Sequence, residues 1–346
     1  MAEFSECTLD DVASALRYLN ESDQDVWIRM GFAIKSEFGE SGFDVWNDWS
    51  SGYAKYKEKE ARTRWKSFKT YGSSSSVGIG TLFHEAMQRG WQFERSELTP
   101  EQKAQFAKER EARCLQREKE EAAEREATLR WHALIAAKAQ EIWGLLKSSG
   151  KSPYLGKKKI KPYGAGFVPR GMVVHFDEAE EAVHIIVGKD NIDQFFADKT
   201  EETSFCYIKP GCLVVPLLDE NWQICNLQII YQTGKKSFLK HGRKSGLFFV
   251  IGSITEGVPL AFVEGFATGA SVHMAIGWPV VIALDAGNLV VVAKLFRKKY
   301  QQLQFVIAGD NDLDTEGNPG KKKALQAAND VNGIAVLPQF DEVMNG

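Results

Sequence analysis

"PLAFVEGFATGASVHMAIGWPVVIALD", residues 259–285, contains two short apolar runs with a stretch of small residues between them. The first run ends on a carboxylate, Glu264, which Gly265 follows at once. The same rhythm continues downstream. "PLAFVEG", "PVVIALD", "QFVIAGD" and "GIAVLP" read as strands, and "TGASVHMAI", "NLVVVAKLFRKKY" and "KKKALQAANDV" read as the helices between them. Apolar strands that do not alternate with polar residues, joined by helices, predict a parallel sheet covered on both faces.

In such sheets the side chains that do chemistry collect at the C-terminal ends of the strands. Glu264 follows "LAFV" and Asp310 follows "FVIAG", so both are expected on that edge. Asp310–Asn311–Asp312 is a D-x-D, with Asp314 two residues on. Carboxylates at i and i+2 just beyond a strand end can converge on one hard cation such as Mg²⁺. A D-x-D alone is weak, because solvated loops are full of them. Together with a strand-end glutamate it is far more specific. Gly265 is expected to let the backbone turn sharply, and Thr268 to help satisfy the first amides of the next helix. A purely structural role, with Glu264 capping a helix and the aspartates forming a turn, is the alternative.

Upstream, "CLVVPLLDENWQICNLQIIYQTGKKSFLKHGRKSGLFFVIG" (212–252) alternates β-branched segments with turn residues and reads as an antiparallel meander. Lys235, Lys236, Lys240, Arg243 and Lys244 cluster within it, either as a nucleic-acid or nucleotide contact or as a solubilising hairpin surface. Asn288 opens the second helix and is expected to face the same site. Lys321 to Lys323 start the third helix, where they either reach phosphate or are the surface lysines common at a helix start.

The chain is expected to divide at residues 1–93, 94–149, 150–258 and 259–346. Residues 1–93 carry apolar stripes at helical spacing, Val12, Leu16 and Leu19 first and then Val26, Met30, Ala33 and Ile34. Five of the nine tryptophans lie here and are expected to build the core of a small all-α module. Lys55, Lys57, Lys59, Arg62, Arg64, Lys66 and Lys69 interleave with Tyr53, Tyr56 and Trp65 as a nucleic-acid face or a solvated one. Residues 98–147 read as a long linking helix that starts at Thr99–Pro100–Glu101. Its charged half has no sustained a/d seam. Leu129, Ala133, Leu134, Ala137, Ile142 and Leu145 of its second half are expected to dock on the α/β region C-terminal to it.

Composition removes several classes of function. An apolar content of 44% with 26% charged residues is ordinary for a soluble protein, and no apolar run could span a bilayer. The acidic N-terminus lacks an apolar signal core, so a cytoplasmic location is expected. The five cysteines form no C-x-x-C pair, which excludes a zinc ribbon. No G-x-x-x-x-G-K-[ST] occurs, and "GNPGKKKA" (317–324) lacks both its spacing and its hydroxyl residue. A net charge of −3 confines any attraction to nucleic acid to local patches.

"VEGFATGASV…AIGWPVVIALDAGNL…FVIAGDND…GIAVLPQF" resembles the Toprim domain of DNA primases from plasmids, phages and related mobile elements, which share the E-G-[YF]-A-T-[AG] form of the acidic motif. The preceding meander is similar to the basic subdomain that precedes Toprim in bacterial-type primases. "DVWIRMGFAIKSEFGESGFDVWNDWS…RTRWKSF…VGIGTLFHEAMQRGW" resembles the small helical module found C-terminal to primase catalytic domains, the PriCT-2-like family. The likenesses span about four fifths of the chain and leave the long helix unassigned.

The fold implied is an α/β Toprim domain with a parallel, Rossmann-like sheet, a small antiparallel β subdomain before it and the all-α module and long helix at the N-terminal side. The activity implied is nucleotidyl transfer by a primase, which makes short RNA primers on single-stranded DNA from ribonucleoside triphosphates by two-metal chemistry with Mg²⁺ or Mn²⁺. Carried over, Glu264 is the catalytic acid or a shared metal ligand, and Asp310 and Asp312 are the metal ligands. A replicative helicase is a partner that the resemblance allows. Two departures stand out. Thr268 occupies the place where housekeeping primases have an aspartate, as it does in the mobile-element relatives. Those relatives continue past "P-x-F" to a further acidic stretch, for which Asp341 and Glu342 are poor substitutes, so a truncated chain or one piece of a larger replication protein is expected. A metal-dependent Toprim nuclease and a non-catalytic, DNA-binding regulator of replication remain as alternatives. No catalytic-tyrosine domain is recognisable, which argues against a topoisomerase.

Overall fold

The computed structural model describes residues 7–68, 77–92, 100–310 and 318–338, apart from seven side chains in the long helix. Lys69, Thr99, Asp312, Asp314, Asp341 and Glu342 lie outside the described residues. The chain divides into two compact units, Met1–Glu126 and Ala127–Gly346.

In the first unit, helices α1 (Leu9–Leu16), α2 (Gln24–Phe38), α3 (Phe43–Ser50), α4 (Glu58–Ser67) and α5 (Ile79–Gln88) pack around an aromatic core. Asp23 caps α2 through two backbone amides, and Gly39 ends it at φ 62, a conformation glycine adopts without strain. Trp46 and Trp65 are fully buried with ring centres 5.3 Å apart. Their indole N–H groups donate to Trp27 O at 3.2 Å and to Glu40 Oε2 at 3.0 Å, which satisfies polar atoms that burial would otherwise penalise. Trp91 is also buried, so the tryptophans form the core that their spacing suggests. On α4, Arg62 pairs with Glu58 at 3.0 Å, and Lys57 pairs with Glu60 at 2.9 Å.

Helix α6 (Pro100–Gly144) runs across the division at 126/127, so its C-terminal part falls within the second unit. Its docking face matches the expected one in part, through Ile142 and the partly buried Leu134. Ile135, Ala139 and Ile142 are fully buried, whereas Leu129 is 66% exposed and Leu145 44% exposed. The i, i+4, i+7 spacing of the buried three makes a single stripe.

The second unit continues with α7 (Pro153–Lys158), β1 (Gly166–Phe167), β2 (Met172–Asp177), β3 (Ala182–Val187), α8 (Lys189–Asp198), β4 (Ser204–Ile208), β5 (Leu213–Leu218), β6 (Ile224–Ile230), β7 (Lys236–Phe238) and β8 (Phe249–Ile251). Then come β9 (Leu260–Val263), α9 (Phe266–Ile276), β10 (Val280–Ile282), α10 (Ala286–Lys299), β11 (Phe305–Ala308), α11 (Pro319–Asp330) and β12 (Ile334–Val336). Strands β3-β2-β4 and β1-β5-β6-β7 form two antiparallel sheets, with the buried stripe of α6 in the core they share.

The third sheet has the order β12-β11-β9-β10-β8 and is parallel apart from β8. Along β9, Leu260 and Phe262 pack on one side with α10 and α11, and Ala261 and Val263 pack on the other with Phe266 of α9. Each fully buried Val, Ile or Phe here contributes roughly 1.5–3 kcal/mol, so a one-residue slip of register would be costly. The meander is shorter than its sequence suggests. Its last segment, β8, pairs antiparallel with β10 as an edge of the third sheet. Phe249 and Ile251 enter one core and Phe248 the other, so this strand needs a sheet covered on both faces. No helix among the described residues is long and apolar enough to cross a membrane.

Candidate functional site

The strand order places two acidic residues on either side of a reversal in the sheet. From β9 the chain steps to β10 on one side, then returns across β9 to β11 on the other. This is the topological switch point at which open α/β sheets bind ligands. Val263 and Ala308 are register partners at the ends of the paired strands β9 and β11. Glu264 is the next residue after Val263, and Asp310 follows Ala308 by one glycine, so both carboxylates belong to the same C-terminal edge. Both are half-buried.

Gly265 has φ −117 and ψ 150, a conformation open to any residue, so a sharp turn is not what requires it. Its lack of a side chain leaves room for a charge. A Cβ at this position would lie 3.4 Å from Lys236 Nζ, which sets that ammonium group beside Glu264 at the start of α9. Thr268 does not cap α9: the helix starts at Gly265 with no side-chain hydrogen bond at its N-cap.

The basic residues divide into groups. Lys235 and Lys236 are exposed on the hairpin, and Lys321 is exposed in the first turn of α11. Lys244 reaches the same sheet edge, 2.5 Å from Asp285 Oδ2, with its ammonium over the Phe238 ring. Lys240 is turned elsewhere: it pairs with Glu178 between β2 and β3 and donates to Ser204 Oγ at 3.0 Å. Lys240 and His241, which is 3.1 Å from the same carboxylate, hold Glu178 below the usual carboxylate range. Arg243 lies near His132, whose pKa is held down first by burial and then by the guanidinium charge.

Asn288 is not presented to a ligand. It is buried, accepts from Gly246 N at 2.7 Å, and donates to Leu247 O at 2.8 Å and Ala283 O at 2.7 Å. Both of its donors are spent on backbone, which corrects the expected nucleotide contact. The residue that sequence reasoning missed is Asp285. Leu284, at φ 78, turns the chain beyond β10, and Asp285 then caps α10 by accepting from Asn288 N at 2.8 Å. Burial raises the pKa of Asp285, but Lys244 and the amides of Asn288 and Gly287 outweigh it and hold the carboxyl below its ordinary value. An aspartate three residues before the first helical asparagine was the available signal.

Residues 12–86 match the family Primase C terminal 2. Residues 12–86 are therefore similar to a PriCT-2 module. Here that module precedes the α/β unit in the chain. A stretch of 133 residues is 39% identical to a protein of Escherichia coli named DNA primase TraC, over 36% of this chain and 12% of that protein. A second protein of the same name and organism is 37% identical over 138 residues, 38% of this chain and 10% of its own length. The chain thus spans about a tenth of the length of the curated relatives it matches. Among solved structures, the DnaG primase catalytic domain bound to single-stranded DNA is similar at a TM-score of 0.40 and 14% identity, over 63% of this chain and 76% of that one. A DNA primase domain from Pseudomonas aeruginosa gives a TM-score of 0.36 and 13% identity, over 61% and 72%.

Proposed function

We propose that residues 127–346 form the core of a Toprim-type primase. Such an enzyme joins ribonucleotides into short RNA primers on a single-stranded DNA template, in the cytoplasmic replication of a plasmid, phage or integrated element. The observation that supports this reading most is that Glu264 and Asp310 follow paired strand ends at the switch point of a parallel sheet, with the Lys236 ammonium beside Gly265. The identity to DNA primase TraC and the PriCT-2 module support it.

The donor chemistry fits Mg²⁺ or Mn²⁺. Glu264 and Asp310 offer hard carboxylate oxygens, and no group of three or more His, Cys, Asp or Glu gathers to hold a metal among the described residues. Mg²⁺ keeps several waters and is commonly held by one or two carboxylates together with substrate phosphates. When bound, the ion neutralises the triphosphate and the oxygens of the in-line displacement. Asp310, joined by Asp312, would hold it. Glu264 would take the proton of the primer 3′-hydroxyl or share the ion. Lys236 and the N-terminus of α9 would receive phosphate oxygens. Lys235, Lys244 and Lys321 would add positive charge along the path of template or triphosphate. A replicative helicase is the partner this activity would serve.

The test combines the full chain with single-stranded templates, labelled ribonucleotides and Mg²⁺ or Mn²⁺. Template-dependent oligoribonucleotides that disappear in a folded Asp310→Asn variant are the expected result. Shortened input strands would replace the reading with a nuclease. DNA binding without either product would replace it with a non-catalytic regulator.

A further inference from the structure

The turn between β5 and β6 holds an indole at the surface in a backbone conformation that indoles avoid. Trp222 has φ 61 and is 41% exposed. Its turn is fixed by its own amide, which donates to Asp219 O at 2.9 Å, and by the amides of Asn221 and Gln223, which both donate to Asp219 Oδ1 at 2.9 Å. Glycine or asparagine would take this conformation at less cost, so the ring is displayed against a local preference. Trp222 meets the buried Phe248 edge to face at 5.6 Å, Phe248 meets Phe296 at 4.7 Å, and Phe296 stacks on Tyr300 at 5.8 Å. These four rings line an open cavity of about 380 Å³.

Two cations overlook the cavity. Lys299 Nζ stands 5.5 Å from the centre of the Trp222 ring and 5.7 Å from that of Tyr300. Lys298 beside it also lines the cavity and is exposed. Neither lysine is ion-paired among the described residues, and Glu220 is the one acid in the lining. Helix α10 starts beside the catalytic edge and ends at Lys299, about 20 Å away along its axis, so this cavity is separate from the Glu264–Asp310 site.

The geometry points to a binding site for single-stranded nucleic acid, with one base stacked on Trp222 and the neighbouring phosphates on Lys298 and Lys299. Lys299 now occupies the face of the indole that a base would take. An exposed cation–π contact is weaker than a base stacked on an aromatic ring, and the flexible lysine stem lets the ammonium move out to a phosphate. An apolar side chain from a protein partner would use the rings but leave both ammonium groups facing it. A nucleotide uses both features.

The test is fluorescence anisotropy of a labelled oligothymidylate of about 12 nucleotides, within the usual site sizes, titrated with the full chain. It requires neither metal nor ribonucleotide, so its outcome is separable from that of the primase assay. Trp222→Ala is expected to weaken binding about tenfold, and Trp222→Tyr, which keeps a stacking face, by much less. Lys298→Ala with Lys299→Ala is expected to flatten the dependence of log affinity on log salt by about 0.7 for each phosphate no longer neutralised. These lysines are exposed, so this variant tests the site even where Trp222→Ala does not fold. Unchanged affinity and salt slope in the folded variants would overturn the proposal and leave the cavity to an apolar side chain of a protein partner.

Discussion

Lys244 Nζ lies 2.5 Å from Asp285 Oδ2, and so ties the basic loop after β7 to the cap of α10 at the sheet edge that carries Glu264. Both side chains are about two-fifths exposed, so the ion pair itself contributes at most a fraction of 1 kcal/mol. The cap contributes about 1 kcal/mol more. Asp285→Ala is therefore expected to lower stability by about 1–2 kcal/mol at neutral pH. The folded-state pKa of Asp285 lies below its ordinary 3.8, so its contribution is complete above that value and fades as pH falls through the folded value. Urea denaturation of wild type and variant should show a gap that closes in acid. A gap of constant size down to about pH 2 would contradict the assignment.

Asn288 is expected to act through stability alone. Asn288→Ala strands Gly246 N–H, Leu247 O and Ala283 O, at a cost of about 2–4 kcal/mol. Asn288→Asp should cost more, because a carboxylate would face two carbonyl oxygens in a buried place. Urea midpoints give these values directly. A variant of wild-type stability that had lost affinity for nucleotides would restore the direct contact.

How much of this was legible in the sequence depended on whether the deciding contacts were local. The strands of the third sheet could be read because Leu260–Val263 and Phe305–Ala308 are short apolar runs between helices. The edge holding Glu264 and Asp310 followed from strand direction alone. Partnership between distant segments was not legible. Phe249 and Val250 read as the end of a meander, and only their pairing with Ile282 and Val281 moves them to another sheet. Lys240 and Lys244 read alike, four residues apart, yet Glu178 takes one and Asp285 the other. Asn288 stood at the right place for a ligand contact, and its use as a backbone staple required knowing that Gly246 and Leu247 approach it.

Gly265 and Gly269 lie four residues apart and should respond unequally to substitution. A Cβ on Gly269 would stand 2.8 Å from Ile282 Cγ1 and 3.1 Å from Val263 Cγ2, so α9 sits on the sheet through this glycine. Gly269→Val is expected to cost about 1–3 kcal/mol by forcing helix and sheet apart. Gly265→Ala meets only Lys236 Nζ at 3.4 Å and Thr268 Oγ1 at 3.8 Å, and should leave stability within about 0.5 kcal/mol. Thermal melts of the two variants side by side decide this. Equal losses would mean that Gly265 is held by packing after all.

Gly309 tests whether the position of Asp310 matters more than its presence. The residue joins β11 to Asp310, its amide donates to Val336 O at 3.1 Å, and an added Cβ would strike the Ala324 methyl of α11. Either the helix or the strand end must then shift. Gly309→Ala is expected to cost about 1–3 kcal/mol and to displace the Asp310 carboxylate while leaving it in the chain. A misplacement of about 1 Å in a catalytic group can cost a hundredfold in rate. Primer synthesis by the folded fraction of Gly309→Ala should therefore fall far more than its stability. Titration with Mn²⁺, followed by its paramagnetic signal, should show weaker binding than in wild type. A variant that is destabilised but binds Mn²⁺ and makes primers normally would show that the site tolerates the shift, and would move the critical ligand away from Asp310.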